Sequence, residues 1–215
     1  MKIIKTYSYA LSEDSLEKDI DKFIRDAKNG AYQRDYNYGQ EGLKTIKAYF
    51  RMIEEEFKKQ NYSLAAACYK KLMFLLLQNE HNYFNYEDIV GKLSFNKFIA
   101  NYFTCLIKLC SVEELFKEYI EYLKAKPEYD FESDKTIIDG LSDSDRERFI
   151  SMVGEEAKNV KEGDYGLYSL IYFLLELAKK RKDRAGYYAL CEKYEKLLAE
   201  EGLKDEFDSE EEGDD

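Results

Sequence analysis

A single proline, Pro127, stands in a chain of 215 residues whose apolar side chains recur at spacings of three and four. Proline ends helices, and with only 11 glycines besides, the sequence has few points at which a long helix must break. The most regular stretch is Leu43, Ile46, Phe50, Ile53 and Phe57, which alternates the two spacings and so lines one face of a helix. Glu54-Glu55-Glu56 and Lys58-Lys59 then fall mostly on its solvent side. The next stretch, from about Ser63 to Gln78, is different in kind. Through Leu72-Met73-Phe74-Leu75-Leu76-Leu77 it is apolar on nearly every face, so neighbours must cover it on several sides, and it is expected at the centre of the fold.

The remaining segments follow the same logic. Asp14, with Glu17 three residues on, reads as a capping box opening a helix along Leu16, Ile20, Phe23, Ile24 and Ala27, which Asn29-Gly30 stops. Phe95 to Leu109 reads as a buried helix, and Ser111-x-x-Glu114 is a second capping box, opening a helix through Leu115, Tyr119, Tyr122 and Leu123. The stretch from Glu128 to Asp139 holds at most one short helix, and Ser142 with Asp145 starts another through Phe149, Met152 and Val153. Asp164 to Lys182 and Asp183 to Glu201 form a final pair. Between them, Lys179-Lys180-Arg181-Lys182 sets cations against helix-end carbonyls. Lys2 to Tyr9 is the one segment with an extended character. The expected fold is all-α, with about eight antiparallel helices stacked as pairs, in one domain over residues 1–204 with a sub-boundary near 127–141.

The formal charge of −11 is unevenly spread. Residues 205–215 hold eight acids and no base, which leaves the other 204 residues at −3. Such a tail has too little apolar surface to order itself and is expected to be disordered. Neither part has the basic footprint of a nucleic-acid binder. The longest apolar run, Leu72 to Leu77, is too short to cross a bilayer, and Met1 to Ser8 lacks the apolar core of a signal peptide. Cys68, Cys105, Cys110 and Cys191 form no C-x-x-C pair. A reduced, cytoplasmic protein without membrane contact is the expectation.

Two segments 103 residues apart carry one signature: Tyr62-x-Leu64-x4-Tyr69-x2-Leu72 and Tyr165-x-Leu167-x4-Tyr172-x2-Leu175. Each follows a polar break, Gln60-Asn61 or Glu162-Gly163-Asp164. The separation is close to three periods of about 34 residues, the tetratricopeptide repeat length. The stretch Asn61-Tyr62-Ser63-Leu64-Ala65-Ala66-Ala67-Cys68-Tyr69 resembles such repeats in placing a turn-proximal aromatic before small residues and a second aromatic. It lacks the glycine of the first repeat helix, and the proline expected near each unit's end occurs once. Residues 16–78, through Ile20-x3-Ile24-Arg25-Asp26-Ala27, the Gly30 to Gly39 connection and the two following helices, resemble the helical region of SWIM-type zinc-finger proteins. That family holds its metal in a C-x-C…C-x-H motif. Here there is no C-x-C, and His81 has no cysteine two residues before it, so the resemblance implies a helical part without the zinc finger and carries over no metal ligand.

Chemistry-bearing residues are sparse. His81 is the sole histidine, in a polar connection, and no nucleophile or carboxylate stands at a favoured spacing from it. Cys105-x4-Cys110 cannot complete a four-ligand zinc site with one histidine in the chain. Asp139-Gly140-Leu141-Ser142-Asp143-Ser144-Asp145 lacks the EF-hand order and reads as helix capping. No phosphate loop, nucleophile elbow or H-E-x-x-H occurs. No catalytic, cofactor-binding or metal residue is therefore assigned.

The expected function is non-enzymatic: a module or scaffold that binds another protein through a helical surface, with Tyr36, Tyr38, Tyr62 and Tyr165 as candidates for it. The acidic tail is expected to solvate the protein, with recruitment of a basic partner or cover of the protein's own groove as alternatives, and Ser209 sits in a context suited to an acid-directed kinase. The alternative function is a compact helical enzyme or small-ligand protein with Asp, Glu and Tyr groups in a pocket. Homo-oligomerisation through the apolar central helices is a third reading.

Overall fold

A computed structural model of the chain describes residues 15–33, 41–77, 83–84, 91, 93–126 and 131–198. They form nine α-helices and a 3-10 turn at Tyr165–Leu167, with no strand among them. The helices are α1 (Leu16–Lys28), α2 (Glu41–Lys58), α3 (Tyr62–Leu77), α4 (Phe95–Leu109), α5 (Val112–Ala125), α6 (Phe131–Gly140), α7 (Asp143–Ala157), α8 (Tyr168–Lys180) and α9 (Arg184–Lys193). The fold is all-α, as expected, and the helix beyond the expected eight is α6, in the stretch after Pro127. The extended reading of Lys2 to Tyr9 and the disordered reading of 205–215 fall outside the described residues. The chain divides into two compact units, Met1–Leu109 and Cys110–Asp215.

In the first unit, α1 is capped by Ser15, whose Oγ accepts from the Lys18 amide at 3.4 Å. Extended backbone at Ser15 brings that oxygen onto the first free amides of the helix, one residue after the capping position read from the sequence. The helix buries Leu16, Ile20, Phe23 and Ala27, and Gly30, at φ +85°, closes it in the left-handed region that glycine tolerates. On α2 the spacing of three and four holds: Leu43, Ile46, Phe50 and Ile53 are buried and Phe57 is half-buried. A three-residue link with Gln60 at φ +63° turns the chain directly into α3.

α3 packs against α1, α2 and α4, the central place that its all-round apolarity requires. Two polar ties fix these neighbours. Lys71 of α3 reaches Glu17 at 2.9 Å and Asp21 at 2.6 Å on α1, a partly exposed pair worth about 0.2–1 kcal/mol each. The hydroxyl of Tyr49 on α2 donates to the buried carboxylate of Asp19 on α1 at 2.8 Å.

The second unit is organised around α5 and α8. Ser111 and Glu114 form the expected capping box: each side chain engages the other's backbone amide. That hydrogen bonding holds the Glu114 carboxyl below its ordinary range. The Tyr119 hydroxyl of α5 donates to buried Asp134 of α6 at 2.7 Å. Arg146 of α7 donates to the carbonyls of Ile138 at 2.7 Å and Leu141 at 3.1 Å, satisfying the end of α6. Ser142 caps α7 by accepting from the Asp145 amide, as the sequence indicated. Phe149, Phe116, Tyr119 and Phe173 pack as an aromatic cluster joining α5, α7 and α8.

The helix expected from Asp164 begins later. Tyr165–Leu167 form the 3-10 turn, and α8 starts at Tyr168. The turn lies so close to α5 that a Cβ at Gly166 would run into the backbone carbonyl oxygen of Leu123. Asp183 caps α9 by accepting from the Gly186 amide at 2.9 Å, and α9 ends at Lys193, short of the expected Glu201.

Two glycine substitutions therefore act in opposite directions. Gly166→Ala should destabilise the protein by about 1–3 kcal/mol, because backbone rather than a movable side chain is in the way. Gly154→Ala, inside α7 with open space around its Cβ, should stabilise by about 0.5–1 kcal/mol through helix propensity. Urea unfolding followed by circular dichroism checks both signs.

Candidate functional site

The polar face of α2 carries Lys47, Arg51 and Glu54 at helical spacings of four and three, one stripe along the helix. Facing it is the entry to α4, where Leu93 and Ser94 lead into the first turns and Lys97. The two helices are joined beneath by Phe50 and Phe98, whose rings stack at 3.8 Å between centroids and 7° between planes. Tyr69 of α3 lies 6.2 Å from each ring, and its hydroxyl accepts from Asn101 at 2.9 Å. Phe50 is 1% exposed and Phe98 7%, so neither ring offers an open face to solvent.

Above this floor lies a cleft of about 350 Å³ lined by Lys47, Phe50, Arg51, Glu54, Leu93, Ser94, Lys97 and Phe98. Glu54 sits between two cations, with Lys97 Nζ at 2.6 Å and Lys58 Nζ at 3.4 Å. The hydrogen bond from Lys97 is the main cause that holds the Glu54 carboxyl below its ordinary range, against the opposing effect of burial, and Lys58 adds to it. A depressed carboxyl contributes stability above its unfolded value and loses it as pH falls through the folded one, so this bridge is intact at neutral pH. Lys47 and Arg51 make no ion pair among the described residues. Among the described lining residues, three cationic side chains against one carboxylate give an excess of two positive charges.

Of the surface candidates read from the sequence, the two that are described, Tyr62 and Tyr165, do not line the cleft. Tyr36 and Tyr38 lie outside the described residues, as does His81. Tyr62 opens α3 half-buried, edge-on to Phe57 at 5.8 Å. Tyr165 is 66% exposed on the 3-10 turn, set edge-on to Tyr168 at 5.7 Å, and belongs to the other unit. The two signature copies also differ in burial, since Tyr69 is fully buried and Tyr172 half-buried. The cleft residues were missed, although the Lys47–Arg51–Glu54 stripe was the available signal.

Among the described residues no group of three or more His, Cys, Asp or Glu side chains is placed to hold a metal ion, and no helix is long and apolar enough to cross a membrane. Compared with family models, curated proteins and solved structures, the chain matches none. Its class rests on its own geometry: an all-α protein with a cationic cleft over a packed aromatic floor.

The cysteines are structural. Cys68 of α3 and Cys105 of α4 are fully buried, and burial pushes both thiols up to about 12. Burial, with Glu114 and Glu118 nearby, also raises the half-buried Cys110. With Ellman's reagent at pH 8, the native protein should release colour from Cys110 alone and slowly, with Cys68, Cys105 and Cys191 reacting only on unfolding. Rapid modification of Cys68 or Cys105 in the folded protein would contradict this packing.

Proposed function

We propose that this chain is a non-enzymatic, cytoplasmic protein-binding module built from helix pairs, in the manner of tetratricopeptide-type repeats, and that its partner docks on the α2–α4 cleft. One observation carries the reading: the cleft combines a charged rim that can orient a partner with a floor already packed by Phe50, Phe98 and Tyr69. A preformed floor spares the ordering cost that weakens association on mobile surfaces. Lys47 and Arg51 on the rim supply encounter steering and register more than raw affinity. The short link between α2 and α3, and the central place of α3, support the helix-pair architecture.

Site-specific photocrosslinking in the native host tests the reading. A photoreactive residue in place of Arg51 or Ser94 should capture one defined protein that the same residue in place of Lys108, an exposed position outside the cleft, does not. Crosslinks only between copies of this chain would favour self-association instead. No cleft-specific crosslink, together with turnover of a host metabolite by the purified protein, would overturn the reading in favour of an enzyme.

A further inference from the structure

The chemistry of the cleft narrows what fits it. We propose that the α2–α4 cleft binds an acidic segment of a partner protein, its carboxylates taken by Lys47 and Arg51 and an apolar side chain resting on half-buried Leu93. The inference rests on the protein-binding reading above and names the partner's chemistry.

Charge complementarity selects the occupant. Lys47 and Arg51 sit one helical turn apart on α2 and make no ion pair among the described residues, so both remain available to carboxylates, and Arg51 can take one in the two-pronged fashion of guanidinium. Lys97 is already engaged by Glu54 at 2.6 Å. Glu54 thereby acts as an internal competitor, repelling an incoming acid and occupying the third cation. Single-stranded nucleic acid, the other polyanion suited to cations beside aromatic rings, needs ring faces on which bases stack. Here Phe50 and Phe98 are stacked on each other at 3.8 Å and buried, so neither offers an open face to a base. A peptide of Asp and Glu with an apolar residue makes no demand on those faces.

The test uses the full chain and a short fluorescein-labelled peptide of Glu and Asp with one central Leu, read by fluorescence anisotropy at low and physiological salt. The Lys47→Glu/Arg51→Glu variant should weaken binding by more than about tenfold, since each exposed pair is converted from attraction to repulsion. Glu54→Gln should tighten it about two- to fivefold by freeing Lys97. Lys28→Glu/Lys108→Glu, equal in charge but outside the cleft, should change it less than twofold. All these side chains but the partly buried Glu54 are exposed, and circular dichroism verifies that each variant is folded.

Equal losses in both double variants would reduce the effect to net charge and overturn the proposal, as would weaker binding in Glu54→Gln. Binding that appears only when the eight acids of residues 205–215 are changed to Asn and Gln would make the chain's own tail the occupant instead of a partner. Tighter binding of an oligothymidylate at the same cations would do the same for nucleic acid. A cleft-specific crosslink in the host without affinity for the acidic peptide would sink this inference alone and leave the protein-binding reading standing. Failure of both would remove the two together.

Discussion

The near-parallel stack of Phe50 on Phe98 is the contact on which the first unit turns. It joins α2 to α4 beside Tyr69 of α3, so three helices meet in one aromatic triad. Such a ring pair contributes about 0.5–1.5 kcal/mol beyond the area it buries, and its geometry also sets the spacing between helices. The cleft exists because the stack lies below the level of the flanking side chains. The position of Lys97 opposite Glu54 follows from the same anchoring, since both lie within four residues of a stacked ring.

A second device appears once in each unit. Tyr49 donates to Asp19, and Tyr119 to Asp134, with both carboxylates nearly sealed from solvent. A buried carboxylate without its donors costs more than the hydrogen bond itself contributes, so each pair penalises sliding or rotation of its helices. The twenty tyrosines of the chain find part of their physical reason here. The rings of Tyr49 and Tyr119 fill the core while each hydroxyl donates to a buried carboxylate, which phenylalanine could not do.

Much of this was legible in the sequence. The period of α2, the central place of α3 and the caps at Ser111 and Ser142 are local facts, fixed by residues within one or two turns of each other. The start of α8 was not legible, because the Tyr-Leu signature does not record whether the chain enters its helix directly. After Gln60-Asn61 it does so at Tyr62. After Gly163-Asp164 a 3-10 turn intervenes, held close to α5 by the missing side chain of Gly166, and the second signature shifts out of register with the first. The cleft was illegible for a related reason. Lys97 stands 43 residues from Glu54 in sequence, and nothing in either local pattern places them together. The charged side of α2 reads in sequence only as a solvated face; of the described tyrosine candidates, Tyr62 packs on Phe57 and Tyr165 is exposed in the other unit.

In the proposed function, binding is confined to one preformed surface of the first unit. Nuclear magnetic resonance of the isotope-labelled full chain, titrated with the protein captured at Arg51, tests it most directly. Amide shift changes should concentrate in residues 47–54 and 93–98, with the methyl signals of buried Ile46 and Ile53 little moved. Changes centred on residues 110–198, or spread evenly over exposed lysines of both units, would contradict it.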